Sequence, residues 1–207
     1  MDLENFNKLP EGKQQDVINA GLTCFAHDGY KKAAISEIAQ AAGVSKASVF
    51  HYFGTKAALY LYLVDYTIDL WLAAFAKAQP ALASADFFER LVLSVQFKMQ
   101  LMKANPAILL FITSMYYEQE DQVRPAINQK LRGSEGIRAG FMLDGIDGSR
   151  FRQGVDPKLI LKMMGWLSAG IAEEWHGKPL EALDDLLAEF YAITEMLKQA
   201  MYQDAGL

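Results

Sequence analysis

Between positions 31 and 56 four lysines, Lys31, Lys32, Lys46 and Lys56, stand against one acid, Glu37. A local excess of positive charge in so short a stretch can hold phosphate groups. Ser45 is placed to cap a helix beginning at Lys46. On that helix Lys46, Ala47, Ser48, Phe50 and His51 lie away from the side carrying Val49 and Phe53. Laid in a major groove, the set offers base edges a cation, a surface for a thymine methyl, a hydroxyl and two rings. Tyr52 and Lys56 suit backbone phosphates. Lysine is disfavoured in the first turn of a helix, so Lys56, just after the plausible cap Thr55, stands out.

Groups of this kind act only if two short helices cross at a fixed angle. The spacing predicts such a pair over 35–42 and 46–53, joined by Gly43-Val44-Ser45. Ala39 lies four residues before Gly43, where two helices crossing near a right angle leave no room for a large side chain. Gly43 can take the positive φ that the turn needs. Ile35, Ile38, Val44, Val49 and Phe53 then form a small core. The alternative for the same residues is an ordinary corner between two helices of a larger bundle.

Other chemistries find little support. His27, His51 and His176 are too far apart for a short metal motif, no glycine-rich phosphate loop follows a strand, and Cys24 lacks an evident base. We therefore expect no enzyme, no metal and no cofactor. The single cysteine cannot form an intrachain disulfide, and the acidic opening has no secretory pattern, so a cytoplasmic location is expected. The apolar run from Ala107 to Tyr117 is well short of the roughly 20 residues that span a bilayer. No membrane partner is expected. Net charge is −5, yet the first 56 residues are neutral and the whole deficit falls on the rest.

The 207 residues are 52% hydrophobic and 22% charged, a globular balance with room for one or two units. Apolar residues recur at three and four, and no strand-length alternation occurs, so the fold class is all-α. Further helices are predicted over about 11–27, ending near Gly29; 55–78, ending before Pro80; 84 or 86 to 104; 106–117, capped by Asn105; 157–175, capped by Asp156; and 180–202. Gly133, Gly136 and Gly140 weaken 121–144, where a kink or a mobile segment is expected. Aromatic and flexible groups, Trp71, Phe75, Phe97, Met99, Phe111, Met115 and Tyr116 with Gln100, are expected to line a mainly apolar pocket for a small-molecule effector. Gln96, Thr113, Ser114 and Glu118 are further groups able to orient a ligand. Gly165, Ser168, Ala169 and Ala172 form a small-residue stripe, and the last helix carries Leu186, Phe190, Ile193 and Leu197. Two such helices from each of two chains would make a four-helix homodimer interface. Packing within one chain is the alternative.

Residues Gly29 to Leu63, GYKKAAISEIAQAAGVSKASVFHYFGTKAALYLYL, resemble the N-terminal domain of the TetR family of repressors. Gly145 to Ile171, GIDGSRFRQGVDPKLILKMMGWLSAGI, resemble that family's penultimate loop and helix. The resemblance implies about nine helices in two domains: a three-helix DNA-binding domain with a helix-turn-helix, here 1–54, and a helical effector-binding and dimerisation domain, here 55–207. It implies a homodimer that binds a palindromic operator and is released by a small apolar or amphipathic effector. It also implies that Lys46, Ala47, Ser48, Phe50 and His51 lie near the bases and that Tyr52 and Lys56 contact phosphate. Departures are Ala33-Ala34 where a Thr or Ser cap is usual, Ala47 where Gly is common, Phe50 for Tyr, and Ala57 for an acid. An apolar-ligand carrier or signalling module whose helix-turn-helix no longer binds DNA is the competing expectation.

Overall fold

In the computed structural model of this chain residues 3–175, 178 and 182–203 are described; His176 and the side chain of Ala172 lie outside them. The described residues form ten α-helices: α1 (Leu3–Asn7), α2 (Glu11–Lys32), α3 (Ile35–Ala41), α4 (Lys46–Phe53), α5 (Lys56–Ser84), α6 (Phe87–Ala104), α7 (Pro106–Tyr117), α8 (Arg124–Leu143), α9 (Pro157–Trp175) and α10 (Ala182–Met201). A 3-10 turn at Gly148–Arg150 and one isolated bridge, Phe151 with Tyr202, complete the regular structure. The all-α expectation holds.

Contacts divide the chain into two compact units, Met1–Leu72 with Gln100–Ser134, and Ala73–Met99 with Glu135–Leu207. In the first, α2 packs along α7 as well as against α3. Val17, Leu22 and Phe25 of α2 are fully buried with Tyr60 and Phe111, whose rings lie 5.3 Å apart. Glu118 locks this packing. A buried carboxylate is costly unless hydrogen-bonded, and the backbone N–H groups of Tyr30, Gln119 and Glu120 each donate to it at 2.9 Å. Glu118 thus ties α7 to the end of α2.

The second unit is held by rings and by one carboxylate. Phe87, Phe88, Phe151 and Tyr202 pack with centroids 4.9 to 6.4 Å apart. Asp86, its side chain only 5% exposed, pairs with Arg150 at 3.1 Å and Lys198 at 3.0 Å. It also accepts from the Glu89 N–H at 2.9 Å, while Glu89 reaches back to the Asp86 N–H at 2.8 Å. That reciprocal pair is a capping box opening α6. Buried Arg90 donates to the carbonyls of Ala85 and Asp144 and so closes the end of α8.

Several local expectations are met and several are not. Ser45 and Thr55 cap as expected, accepting from the Ser48 and Ala58 N–H groups, and Asp156 accepts from Lys158. Asn105 makes no side-chain cap; Pro106, with no N–H to satisfy, opens α7 without one. Gly29 has the expected positive φ of 68°, but the chain resumes its helix to Lys32. Pro80 does not end α5, which runs on to Ser84. Its ring deprives the Ala76 carbonyl of a partner, and both residues are exposed, so water can serve instead. The glycines of α8 leave it continuous. Arg90 at its end and buried Ile127 and Met142 along it offset a cost of about 1 kcal/mol for each glycine. α1 was not expected at all. By length and composition α5 could cross a membrane, but its Leu59, Tyr60, Leu63 and Val64 are fully buried within the first unit.

Candidate nucleic-acid interface

The turn between α3 and α4 is built as its residues require. Gly43 has φ +62°, the Val44 N–H donates to the Ala39 carbonyl at 3.0 Å, and Ala39 is 2% exposed. A larger residue at 39 would separate the helices. Ile35, Ile38, Val49 and Phe53 are buried beneath, while Val44 is half-buried. Ser45 accepts from the Ser48 N–H at 2.9 Å, and the two hydroxyls lie 2.7 Å apart. Ala34, at the start of α3, makes no side-chain cap, as the Ala33-Ala34 departure predicts.

On the outer face of α4, Lys46, Ala47 and His51 are exposed, Phe50 is 39% exposed, and Ser48 is half-buried. Lys46 Nζ sits 5.9 Å from the centre of the Phe50 ring, which brings a cation and an apolar plane to one patch. Tyr52 is half-buried, its ring 5.8 Å from Phe6. Lys56 has an additional task that spacing did not reveal. Its ammonium donates to the carbonyls of Lys31 at 3.0 Å and Ala33 at 3.1 Å and stands 4.8 Å over the Tyr30 ring. A cation at the C-terminal end of α2 is favoured by the helix dipole, which accounts for a lysine in the first turn of α5. Two of its three N–H donors are used there, leaving one for a phosphate.

α1 was missing from the sequence reading and belongs to this surface. Phe6 is fully buried against Phe53 at 4.9 Å and Tyr62 at 5.6 Å, and the Asn5 amide nitrogen lies 3.3 Å from His51 Nε2. An isolated aromatic after an acidic tetrapeptide was the only available signal.

The residues expected to line the effector pocket are dispersed. In the first unit Phe111 and Met115 are core residues at 0% and 2% exposure, Trp71 is half-buried, and Gln100 and Tyr116 are exposed. Phe111 and Met115 thus support α7 against α2 instead of facing a cavity, because α7 is apolar nearly all round. In the second unit Phe75 is buried and stacks on Phe141 at 5.6 Å, Met99 is buried, and Phe97 is half-buried. A groove of about 490 Å3 in this unit is lined by Phe88, Val92 and Gln96 of α6 and by Tyr191 and Thr194 of α10. Of the groups expected to contact or orient a ligand, Gln96 alone borders it.

The expected dimer residues also divide. Leu186 and Phe190 are buried at 6% and 3% and serve the unit's own core, Ile193 and Leu197 are half-buried, and Gly165, Ser168 and Ala169 are exposed. Around them α9 exposes Leu159 and Trp166, at 64% and 66%, and α10 exposes Met196 at 60%. One trio of possible metal ligands is present among the described residues: Cys24, Asp28 and Glu37 bring ligand atoms within 4.8 Å of one another. Two of the three already serve each other. The Cys24 thiol donates to Asp28 at 3.7 Å, Asp28 contacts His27 Nδ1 at 2.7 Å, and burial pushes the thiol up from its ordinary value.

Comparison with known proteins agrees with this geometry. Residues 17–63 match the profile of bacterial regulatory proteins of the tetR family, a stretch that covers most of α2 through the start of α5. The chain is similar to the fatty acid metabolism regulator protein of Bacillus subtilis, 26% identical over 158 residues, which is 76% of this chain and 80% of that one. The crystal structure of FadR from Bacillus subtilis in complex with stearoyl-CoA shares the fold at 21% identity, covering 88% of this chain and 96% of that one with a TM-score of 0.70. The fatty acid degradation regulator FadR of Bacillus halodurans does so at 21% identity, covering 93% and 98%, with a TM-score of 0.72.

Proposed function

We propose that this chain, which belongs to the TetR family of bacterial transcriptional regulators, represses transcription as a homodimer on a palindromic operator and is released by an amphipathic effector. It is a DNA-binding transcriptional regulator. The observation that carries the reading is the exposed face of α4, Lys46, Ala47, Phe50 and His51, set on a turn that Ala39 and Gly43 hold tight. Residues 1–54 act as the DNA-reading part and 55–207 as the effector and dimer part. No step calls for a catalytic group, and a cytoplasmic location follows from the DNA target.

An electrophoretic shift with the protein's own upstream DNA is the direct test. Lys56→Ala is expected to weaken binding to every duplex, to reduce the slope of log affinity against log salt by about one, and to lower the melting temperature, because the carbonyls of Lys31 and Ala33 lose their donor. His51→Ala leaves the slope unchanged and relaxes base preference. Failure of the unmodified protein to shift any upstream palindrome would favour the carrier reading.

The FadR of Bacillus subtilis was crystallised with stearoyl-CoA, which makes an acyl thioester the first effector class to try here. Gln96, which borders the groove between α6 and α10, is the proposed polar contact in the second unit. A 100-fold loss of DNA affinity needs a coupling of about 2.7 kcal/mol, and the operator must weaken the effector by the same factor.

Dimerisation through α9 and α10 is supported by Leu159, Trp166 and Met196, large apolar groups that one chain leaves in water. Ala169→Trp and Trp166→Glu are each expected to give a folded monomer in sedimentation at micromolar concentration. An unmodified protein that sediments as a monomer rules the interface out.

A further inference from the structure

The contact between α1 and α4 reaches a group that would touch bases. The side-chain amide nitrogen of Asn5 lies 3.3 Å from His51 Nε2. An amide nitrogen donates and does not accept, so this contact fits the tautomer in which Nε2 accepts and the ring proton resides on Nδ1. Asn5 is held in place by its neighbour. Phe6 is fully buried among Tyr52, Phe53 and Tyr62, which docks α1 on α4. The His51 ring lies 5.8 Å from that of Tyr52.

We propose that Asn5 is a positioning residue for sequence recognition, setting the tautomer in which His51 meets DNA. The proposal rests on the reading of α4 as the DNA-contacting helix. With Nε2 engaged by Asn5, the free nitrogen of His51 is a donor. A donor in the major groove bonds the N7 and O6 of guanine, the N7 of adenine or the O4 of thymine, and is rejected by the amino group of cytosine. The opposite tautomer, or a ring that flips freely, loses this discrimination. Asn5 thereby selects bases that it never touches, from a helix outside the residues matched to the family.

The test uses the full chain labelled with 15N in histidine, first without DNA. The His51 nitrogen shifts of the unmodified protein are expected to report the Nδ1–H form. Asn5→Ala is expected to give a mixture of tautomers, and Asn5→Asp, which places an acceptor there, the Nε2–H form. Selection from randomised duplexes follows, in which Asn5→Ala is expected to lose about fivefold to tenfold discrimination at one position of each half-site while its salt slope stays unchanged. Phe6→Ala, which undocks α1, is expected to repeat the tautomer mixture. Identical His51 shifts in the unmodified protein and Asn5→Ala overturn the proposal, as does unchanged base preference. Expected shifts in a protein that binds no duplex overturn the DNA reading instead.

Discussion

Asp86→Ala is expected to destabilise the protein by about 2–3 kcal/mol, the combined cost of a lost helix cap and two partly exposed ion pairs. The carboxylate contributes three things to the second unit. It caps α6 through the Glu89 N–H, holds Arg150 of the 3-10 turn, and holds Lys198 of α10. Without it Arg150 loses its carboxylate and Lys198 keeps only Glu89, at 3.7 Å. The effect has a defined pH dependence. Burial raises the Asp86 pKa, but the Glu89 N–H, Lys198 and Arg150 together outweigh it and hold the group below its ordinary value. A carboxyl with a lowered folded pKa contributes stability that is complete above its unfolded pKa, about 4, and is lost as pH falls through the folded one. Urea unfolding of both proteins should therefore show the full difference at pH 7 and a smaller one below pH 4. A difference under 1 kcal/mol at pH 7, or one that grows as the pH falls, would sink this account.

Phe6→Ala carries the second large effect, about 3 kcal/mol, at the low end for a fully buried phenylalanine because a five-residue helix can lift away and relieve the cavity. It is expected to lower operator affinity as well, since Tyr52 and Phe53 of α4 lose a ring that packs against them. Urea unfolding and an operator shift measure the two consequences separately. Loss of stability with unchanged operator binding would show that α1 supports the fold and has no part in reading.

How far these features could be read in advance depended on their range. The helix-turn-helix was legible because its determinants are local. Ala39 and Gly43 lie four residues apart, Ser45 accepts from an N–H three residues on, and a positive φ belongs to a single residue. The caps at Thr55 and Asp156 are short-range in the same sense. Pro80 and the glycines of α8 were read by the same local rules and gave breaks that do not occur. Burial of neighbouring residues and exposure of the freed carbonyl lowered the cost.

Periodicity by itself determined that nearly every segment is a helix, which helices are apolar on one face, and which residues of α4 face outward. It did not determine partners. An apolar stripe states that a face is covered, but any other stripe of similar width satisfies it, so Phe111 and Met115 read equally well as pocket or as core. Only the tertiary structure decided that they pack in the first unit, that Leu186 and Phe190 serve the second, and that Glu118 accepts from Tyr30 across 88 positions. The same holds for Lys56 on the carbonyls of α2 and for Asn5 beside His51. Each of these contacts joins residues distant in the chain, and its energy depends on a geometry that exists only once the helices have packed.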